Sequence, residues 1–130
     1  MNPEEFNKYL NAVRELMIQE KYVDAIAILD KLKDNEQKNN DEFNYNLIHQ
    51  LYHLDSNCRS AYRQQVILEY LKIISSEKKL ISFNELNQKL REKGSLNISD
   101  NILRREVELL ILRNLLMGKI EGNYLDFNFT

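Results

Sequence analysis

Tryptophan is absent from this chain, and proline, cysteine and glycine number one, one and three in 130 residues. So few breakers cannot supply the many turns of an all-β fold, and the composition points to long helices. The single cysteine, Cys58, excludes an internal disulfide and fits a reducing compartment. The three glycines, Gly94, Gly118 and Gly122, are scattered, so there is no glycine-rich phosphate loop, and no Gly-x-Ser-x-Gly elbow occurs. No apolar run approaches a membrane span. The acidic, polar start Met1-Asn2-Pro3-Glu4-Glu5 stands where a secretory signal needs a basic segment and then an apolar one. The expected location is the cytoplasm, with the nucleus as the alternative.

An excess of one charge is lacking too. The formal net charge is -2. Residues 1–41 carry six Lys/Arg against nine Asp/Glu, and residues 42–130 carry twelve against eleven. A dedicated nucleic-acid binder shows a basic excess on its binding unit, and only a local patch is left open here. The length suits one compact domain or two small fused helical units, with too little chain for a large enzyme scaffold.

What is present is mostly helical periodicity. Asn2-Pro3-Glu4-Glu5 is a helix start, with Asn2 as cap, Pro3 in the first turn and Glu5 as the capping-box acid. The helix should run to about Glu20, burying Phe6, Leu10, Val13 and Met17. A second helix is expected from about Tyr22 to Leu32, with Val23, Ile26, Ala27 and Leu29 facing the first and the small Ala25 and Ala27 allowing close approach. The string Glu20-Lys21-Tyr22-Val23-Asp24-Ala25-Ile26 resembles the phrase of tetratricopeptide-like helix pairs. No second copy follows at a period of about 34 residues, so this is a single repeat-like unit. The polar stretch Asp34–Asp41 reads as a linker. Glu42 to about Asp55 turns helical again on Phe43, Leu47, Leu51 and Leu54, and Ser56-Asn57-Cys58 reads as a break.

The pattern from Ser60 is a helix to Lys79, carrying Ala61, Val66, Ile67, Tyr70, Leu71, Ile73 and Ile74, and then a short strand, Leu80-Ile81-Ser82. Ser82-Phe83-Asn84-Glu85 is a capping box that opens a helix to Lys93, with Phe83, Leu86 and Leu90 inward and Gly94 as its end. Ser99 or Asp100 caps a last helix reaching Met117. That helix holds Val107, Leu109, Leu110, Ile111, Leu112, Leu115, Leu116 and Met117, apolar on most sides. Such a helix is buried on most sides, by its own domain or by a partner. The tail from Gly118 to Phe129 alternates apolar and polar like a half-buried strand, either turning tightly at Gly122-Asn123 into a short β-wing or running on as one bent strand. The expected fold is therefore mostly α: an N-terminal helical hairpin and connecting helix over residues 1–58, then a C-terminal winged helix over 59–130.

Within residues 62–129, Glu106-Val107-Glu108-Leu109-Leu110-Ile111, followed by Leu116-Met117-Gly118-Lys119-Ile120-Glu121-Gly122, resembles the ending of the winged-helix half of the PCI family. There a helix runs into the strand that starts the wing. Leu80-Ile81-Ser82-Phe83-Asn84-Glu85-Leu86 resembles that family's strand-into-helix step. The family serves as scaffold subunits of the proteasome lid, the signalosome and a translation-initiation complex. The winged-helix scaffolds of ESCRT complexes and of the ufmylation ligase end in a similar style. The resemblance implies helical repeats before a winged helix, lateral packing of winged helices, and no catalytic residues. The helical part is shorter here than is usual there, and little chain follows Gly122 for a full wing.

Few residues suggest chemistry. His49 and His53 share a helix face, but Gln50 stands where a metalloprotease needs its glutamate, and with Cys58 there are only three ligands where structural zinc takes four. Cys58 as a nucleophile would need a base such as His53 and a lowered pKa, to which Arg59 would contribute; a structural cysteine is the simpler reading. No metal, cofactor or catalytic group is expected, and the chain is not read as an enzyme. The expected protein interface is Leu112 and Leu115 on the last helix, with Tyr124, Phe127 and Phe129 on the tail, which either cover the core or border a last strand with an open edge to other subunits or a second copy. The alternative is a DNA-binding regulator that uses Arg104 and Arg105 near the start of the last helix and Lys119 from the wing, with Ser99 and Asn101 assisting. Asp100, Glu106 and Glu108 oppose it by repelling phosphate, and Glu108 is placed to pair with Arg104 or Arg105.

Overall fold

The computed structural model describes residues 1–38, 45–93 and 96–127. It is mostly helical, with a small three-stranded antiparallel sheet near the C-terminus. The chain divides into two compact units, Met1–Tyr62 and Arg63–Thr130, where the sequence suggested a change at 58/59.

Helix α1 (Pro3–Ile18) starts as its sequence dictates. The Asn2 side chain accepts the Glu5 amide at 2.8 Å, Pro3 occupies the first turn, and Glu4 and Glu5 meet the positive end of the helix. Phe6, Leu10 and Val13 are wholly buried. The helix closes with paired bonds from Glu20 N–H to the Met17 carbonyl (3.0 Å) and from Lys21 N–H to the Leu16 carbonyl (2.8 Å), the Schellman arrangement. Glu20 therefore sits at φ 60, where glycine is the usual occupant.

Helix α2 (Tyr22–Lys38) packs on α1 through Ala25, Leu29 and Leu32. Leu29 is buried and Ile26 partly buried against the core as expected, but the other two expected positions are not. Val23 is 65% exposed and Ala27 is also exposed, and the small Ala25 is buried instead. The helix also runs through the start of the expected linker. Asp34–Lys38 is polar but holds no breaker, and its ends form an i,i+4 ion pair at 3.1 Å. The rest of that linker, Phe43 and the expected helix start at Glu42 lie outside the described residues.

Helix α3 (Tyr45–Glu77) is one 33-residue helix, so the expected break at Ser56-Asn57-Cys58 does not occur. No glycine or proline stands between 45 and 77, Ser56 and Asn57 face solvent, and Cys58 enters the core. Its first part belongs to the N-terminal unit through Leu51, Asp55 and Cys58. There Asp55 is nearly buried between Lys33 and Arg59, each at 3.0 Å, and Arg59 also reaches Asp30. Its last part belongs to the C-terminal unit through Gln64, Ile67, Leu71 and Ile74.

The C-terminal unit continues with β1 (Leu80–Ser82), α4 (Phe83–Lys93), α5 (Asp100–Leu112), β2 (Lys119–Glu121) and β3 (Tyr124–Asp126). Ser82 caps α4 by accepting the Glu85 amide at 3.1 Å, and Phe83, Leu86 and Leu90 are buried as expected. Gly94 lies outside the described residues. Buried Asn87 donates to the Ile98 carbonyl at 3.1 Å and to the Asp100 carboxylate, which fastens the connection into α5. Ser99 caps α5, accepting the Ile102 amide at 3.3 Å.

Helix α5 ends at Leu112 rather than Met117. Asn114 takes φ 59, and the bonds from Asn114 N–H to the Ile111 carbonyl (3.0 Å) and from Leu115 N–H to the Leu110 carbonyl (2.9 Å) close a second Schellman turn. Nor is α5 apolar on most sides. Leu103, Glu106, Val107 and Leu110 are buried, while Asn101, Arg105, Glu108 and Leu112 form an exposed stripe. The surplus apolar residues Leu115, Leu116 and Met117 fall after the helix.

The tail is a hairpin rather than one bent strand. Of its two turn residues only Gly122 has positive φ (59), as in a II′ turn. The sheet order is β1-β3-β2, with Ile81 and Ile120 both opposite Leu125. The last strand is thus central and has no open edge. Among the described residues, the strand with a neighbour on one side at the hairpin end is β2.

Replacing Glu20 by glycine relieves a side chain held in the left-handed region. It is expected to stabilise the N-terminal unit by about 0.5–1 kcal/mol, read as a raised urea midpoint with unchanged slope.

Candidate docking surface

Three large apolar side chains lie exposed within six residues at the end of α5: Leu112 at 76%, Leu115 at 54% and Met117 at 68%. The helix carries Leu112 outward on the stripe of Arg105 and Glu108, and the turn at Asn114 swings the following residues toward β2. Between helix end and strand lies an open groove of about 390 Å³, lined by Glu108, Ile111, Leu112, Gly118, Lys119 and Ile120. Its lining is mostly apolar, with one acid, Glu108, and one base, Lys119. Gly118 lies close to β3: a β-carbon there would stand 3.4 Å from the Asp126 carbonyl and from Leu125 Cδ1.

The expected interface is brought together only in part. Leu112 lines the groove, and Leu115 is exposed just after it. Tyr124 is half-exposed on β3, opposite Ser82 and Glu121, and is not among the lining residues. Phe127 is half-buried, its amide donating to the Lys79 carbonyl at 2.7 Å, so it works to extend the sheet. Phe129 lies outside the described residues. Ile111, Met117 and Ile120 were missed by the sequence reading. Alternation in Lys119-Ile120-Glu121 was the available signal for Ile120, because it pairs through β3 with the buried Ile81.

All three residues assigned to nucleic acid have partners within the unit. Arg104 donates to the Gly122 carbonyl at 2.8 Å, lies 5.5 Å over the Phe83 ring and pairs with Glu108 at 3.4 Å. It is a clasp from α5 to the hairpin turn. Lys119 pairs with Glu121 at 2.9 Å, and that hydrogen bond raises its pKa. Arg105 is the most exposed of the three, its guanidinium 3.8 Å from the buried Glu106 carboxylate. Burial also takes Glu106 off the surface, where the sequence reading had placed it as a repelling acid.

No family model, no curated protein and no solved structure matches this chain. The assignment of a role therefore rests on the geometry.

The histidine and cysteine candidates do not converge. The His49 and His53 rings stack at 6.5 Å on an exposed helix face, with His53 Nε2 at 3.4 Å from Asn57. Cys58 is wholly buried, its thiol 3.9 Å from the Tyr22 carbonyl. Among the described residues no three His, Cys, Asp or Glu side chains gather as a metal site, and no helix is long and apolar enough to cross a membrane. Burial, reinforced by the Asp55 carboxylate, pushes the Cys58 thiol pKa up, against the smaller opposing effect of Arg59. A raised pKa means less thiolate at neutral pH, and burial blocks access as well. Cys58 is accordingly expected to react with a thiol reagent only on unfolding, its labelling rate rising with urea in step with loss of helical circular dichroism.

Leu112→Asp is expected to change stability by no more than about 0.5 kcal/mol, since the side chain is exposed, whereas Leu110→Asp should unfold the C-terminal unit. Equal destabilisation by the two in urea titrations would make Leu112 a core residue and remove it from the docking surface.

Proposed function

We propose that residues 63–130 form a winged helix of the PCI type and that the chain is a non-catalytic assembly subunit, docking other proteins through the end of α5 and strand β2. The order helix, strand, helix, helix, hairpin, with β1 joined to the hairpin's second strand, supports the winged-helix reading. One observation carries the functional reading: Leu112, 76% exposed, stands at an apolar groove of about 390 Å³. Clustered exposed apolar surface of this kind marks a protein-binding face. The N-terminal hairpin is read as a single repeat-like helix pair.

The DNA-regulator reading has one observation in its favour, the exposed stripe of α5 with Asn101 and Arg105. Against it, Arg104 is engaged with the hairpin, Lys119 with Glu121, and the chain as a whole is slightly acidic. A phosphate-tracking surface needs cations free to face the backbone.

A photoreactive amino acid at position 112, compared with one at the exposed polar Lys72, tests the proposal in the native cell. Discrete protein adducts at 112 and none at 72 are expected. Absence of protein adducts at 112, together with a salt-sensitive DNA mobility shift abolished by Arg104→Glu with Arg105→Glu, would overturn it in favour of the regulator.

A further inference from the structure

We propose that strand β2 pairs edge to edge with β2 of a second copy of this chain, antiparallel and centred on Ile120, joining two three-stranded sheets into one of six strands. The proposal rests on the docking role of the α5–β2 face and names its occupant. Among the described residues, strand β2 has a neighbour, β3, on one side only. Glu121 and Tyr124 flank the two-residue turn, so their backbone groups face each other across the hairpin. Backbone polar groups alternate sides along a strand, so the N–H and C=O of Ile120 point away from β3, toward the free edge. A two-fold axis at Ile120 lets these groups bond to the same pair on the second copy, both bonds at once.

The side chains fit the same axis. Antiparallel pairing about Ile120 places Lys119 opposite Glu121 of the second copy, and Glu121 opposite its Lys119. Both residues are well exposed, at 62% and 59% of their side-chain surface. Within one chain they already form an ion pair at 2.9 Å, so the second copy extends an existing alternation of charge. A lone lysine on a strand edge repels a second strand, whereas a lysine and a glutamate flanking one isoleucine attract an identical strand running the other way. Ile120 lies on the opposite face, lining the groove with Leu112, where the two copies bring their apolar groove walls to one axis. The formal net charge of -2 per chain opposes association of two copies only weakly. A partner strand of a single charge sign would leave either Lys119 or Glu121 facing its like.

The test is mass by size-exclusion with light scattering on the full chain, as wild type, Lys119→Glu, Glu121→Lys, and the two variants mixed. The wild type is expected to approach dimer mass with rising concentration. Each reversal alone places two like-charge contacts at the axis and is expected to weaken dimerisation at least about tenfold. The mixture restores both contacts as opposite charges and should recover the dimer, which an intrachain effect of either substitution does not explain. Thermal melts by circular dichroism confirm that each variant is folded. A wild type that stays monomeric up to roughly 1 mM overturns the proposal, as does a dimer indifferent to the reversals or a mixture that fails to recover it. A monomer that still gives adducts with other proteins at position 112 removes the second copy and leaves the docking face standing. Loss of all adducts at 112 removes the docking face itself.

Discussion

The C-terminal unit depends on one long-range pairing. Leu80–Ser82 lies antiparallel on Tyr124–Asp126, with Ile81 opposite Leu125, and both of those side chains are wholly or nearly wholly buried. The pairing is extended at both ends, by the Phe83 amide on the Asn123 carbonyl at 2.9 Å and the Phe127 amide on the Lys79 carbonyl at 2.7 Å. A two-stranded hairpin of three-residue strands is marginal by itself in water. Adding β1 and a helical layer gives the hairpin a third strand and a buried face. The same pairing makes β3 the central strand and leaves β2 outermost, beside the end of α5. The location of the free edge and of the apolar groove thus follows from where β1 docks.

The charges around that face are arranged to hold the fold in shape. Arg104 joins three elements: its own helix through Glu108, the hairpin turn through the Gly122 carbonyl, and α4 through the Phe83 ring. A guanidinium can do this because its planar fork bonds along its edge while its face stacks on an aromatic ring. Lys78 and Lys89 likewise converge on Glu85, and the Lys78 hydrogen bond is the main cause of the lowered Glu85 pKa. These exposed pairs contribute modestly to stability. Their consequence is for recognition: cations already paired within the unit leave the neighbourhood of the groove close to neutral, with Leu112, Leu115 and Met117 as its conspicuous exposed chemistry.

The places where sequence reasoning and structure part company share a cause. Periodicity reveals that Phe6, Leu10 and Val13, or Leu86 and Leu90, lie on one helical face. It does not show where a polar stretch stops being helical. Asp34–Lys38 and Ser56-Asn57-Cys58 look like loops by composition, yet neither contains a residue that obstructs the helical backbone, and the helices continue. Conversely α5 looked continuous to Met117, and ends at Leu112 because one residue, Asn114, adopts the left-handed conformation. That choice belongs to a single backbone position and is weakly encoded in hydrophobic pattern. In α2 the expected Leu29 is buried, but Ala25 takes a buried place that the periodicity had given to Val23 and Ala27.

By itself the sequence determined the helical class, the caps at Asn2 and Ser82, a cap at Ser99 or Asp100, the strand Leu80–Ser82, and an apolar surplus near the end of the last helix. These are local matters, set by side-chain hydrogen bonding, breaker scarcity and spacing within a few residues. Tertiary structure decided which residues form the exposed apolar groove. It buried Glu106, turned Arg104 onto the hairpin, folded Phe127 into the sheet margin and brought Ile120 beside Leu112. Strand order in a sheet depends on pairings between segments some forty residues apart, as β1 and β3 are here. No local pattern states which strand will be left with an unpaired edge.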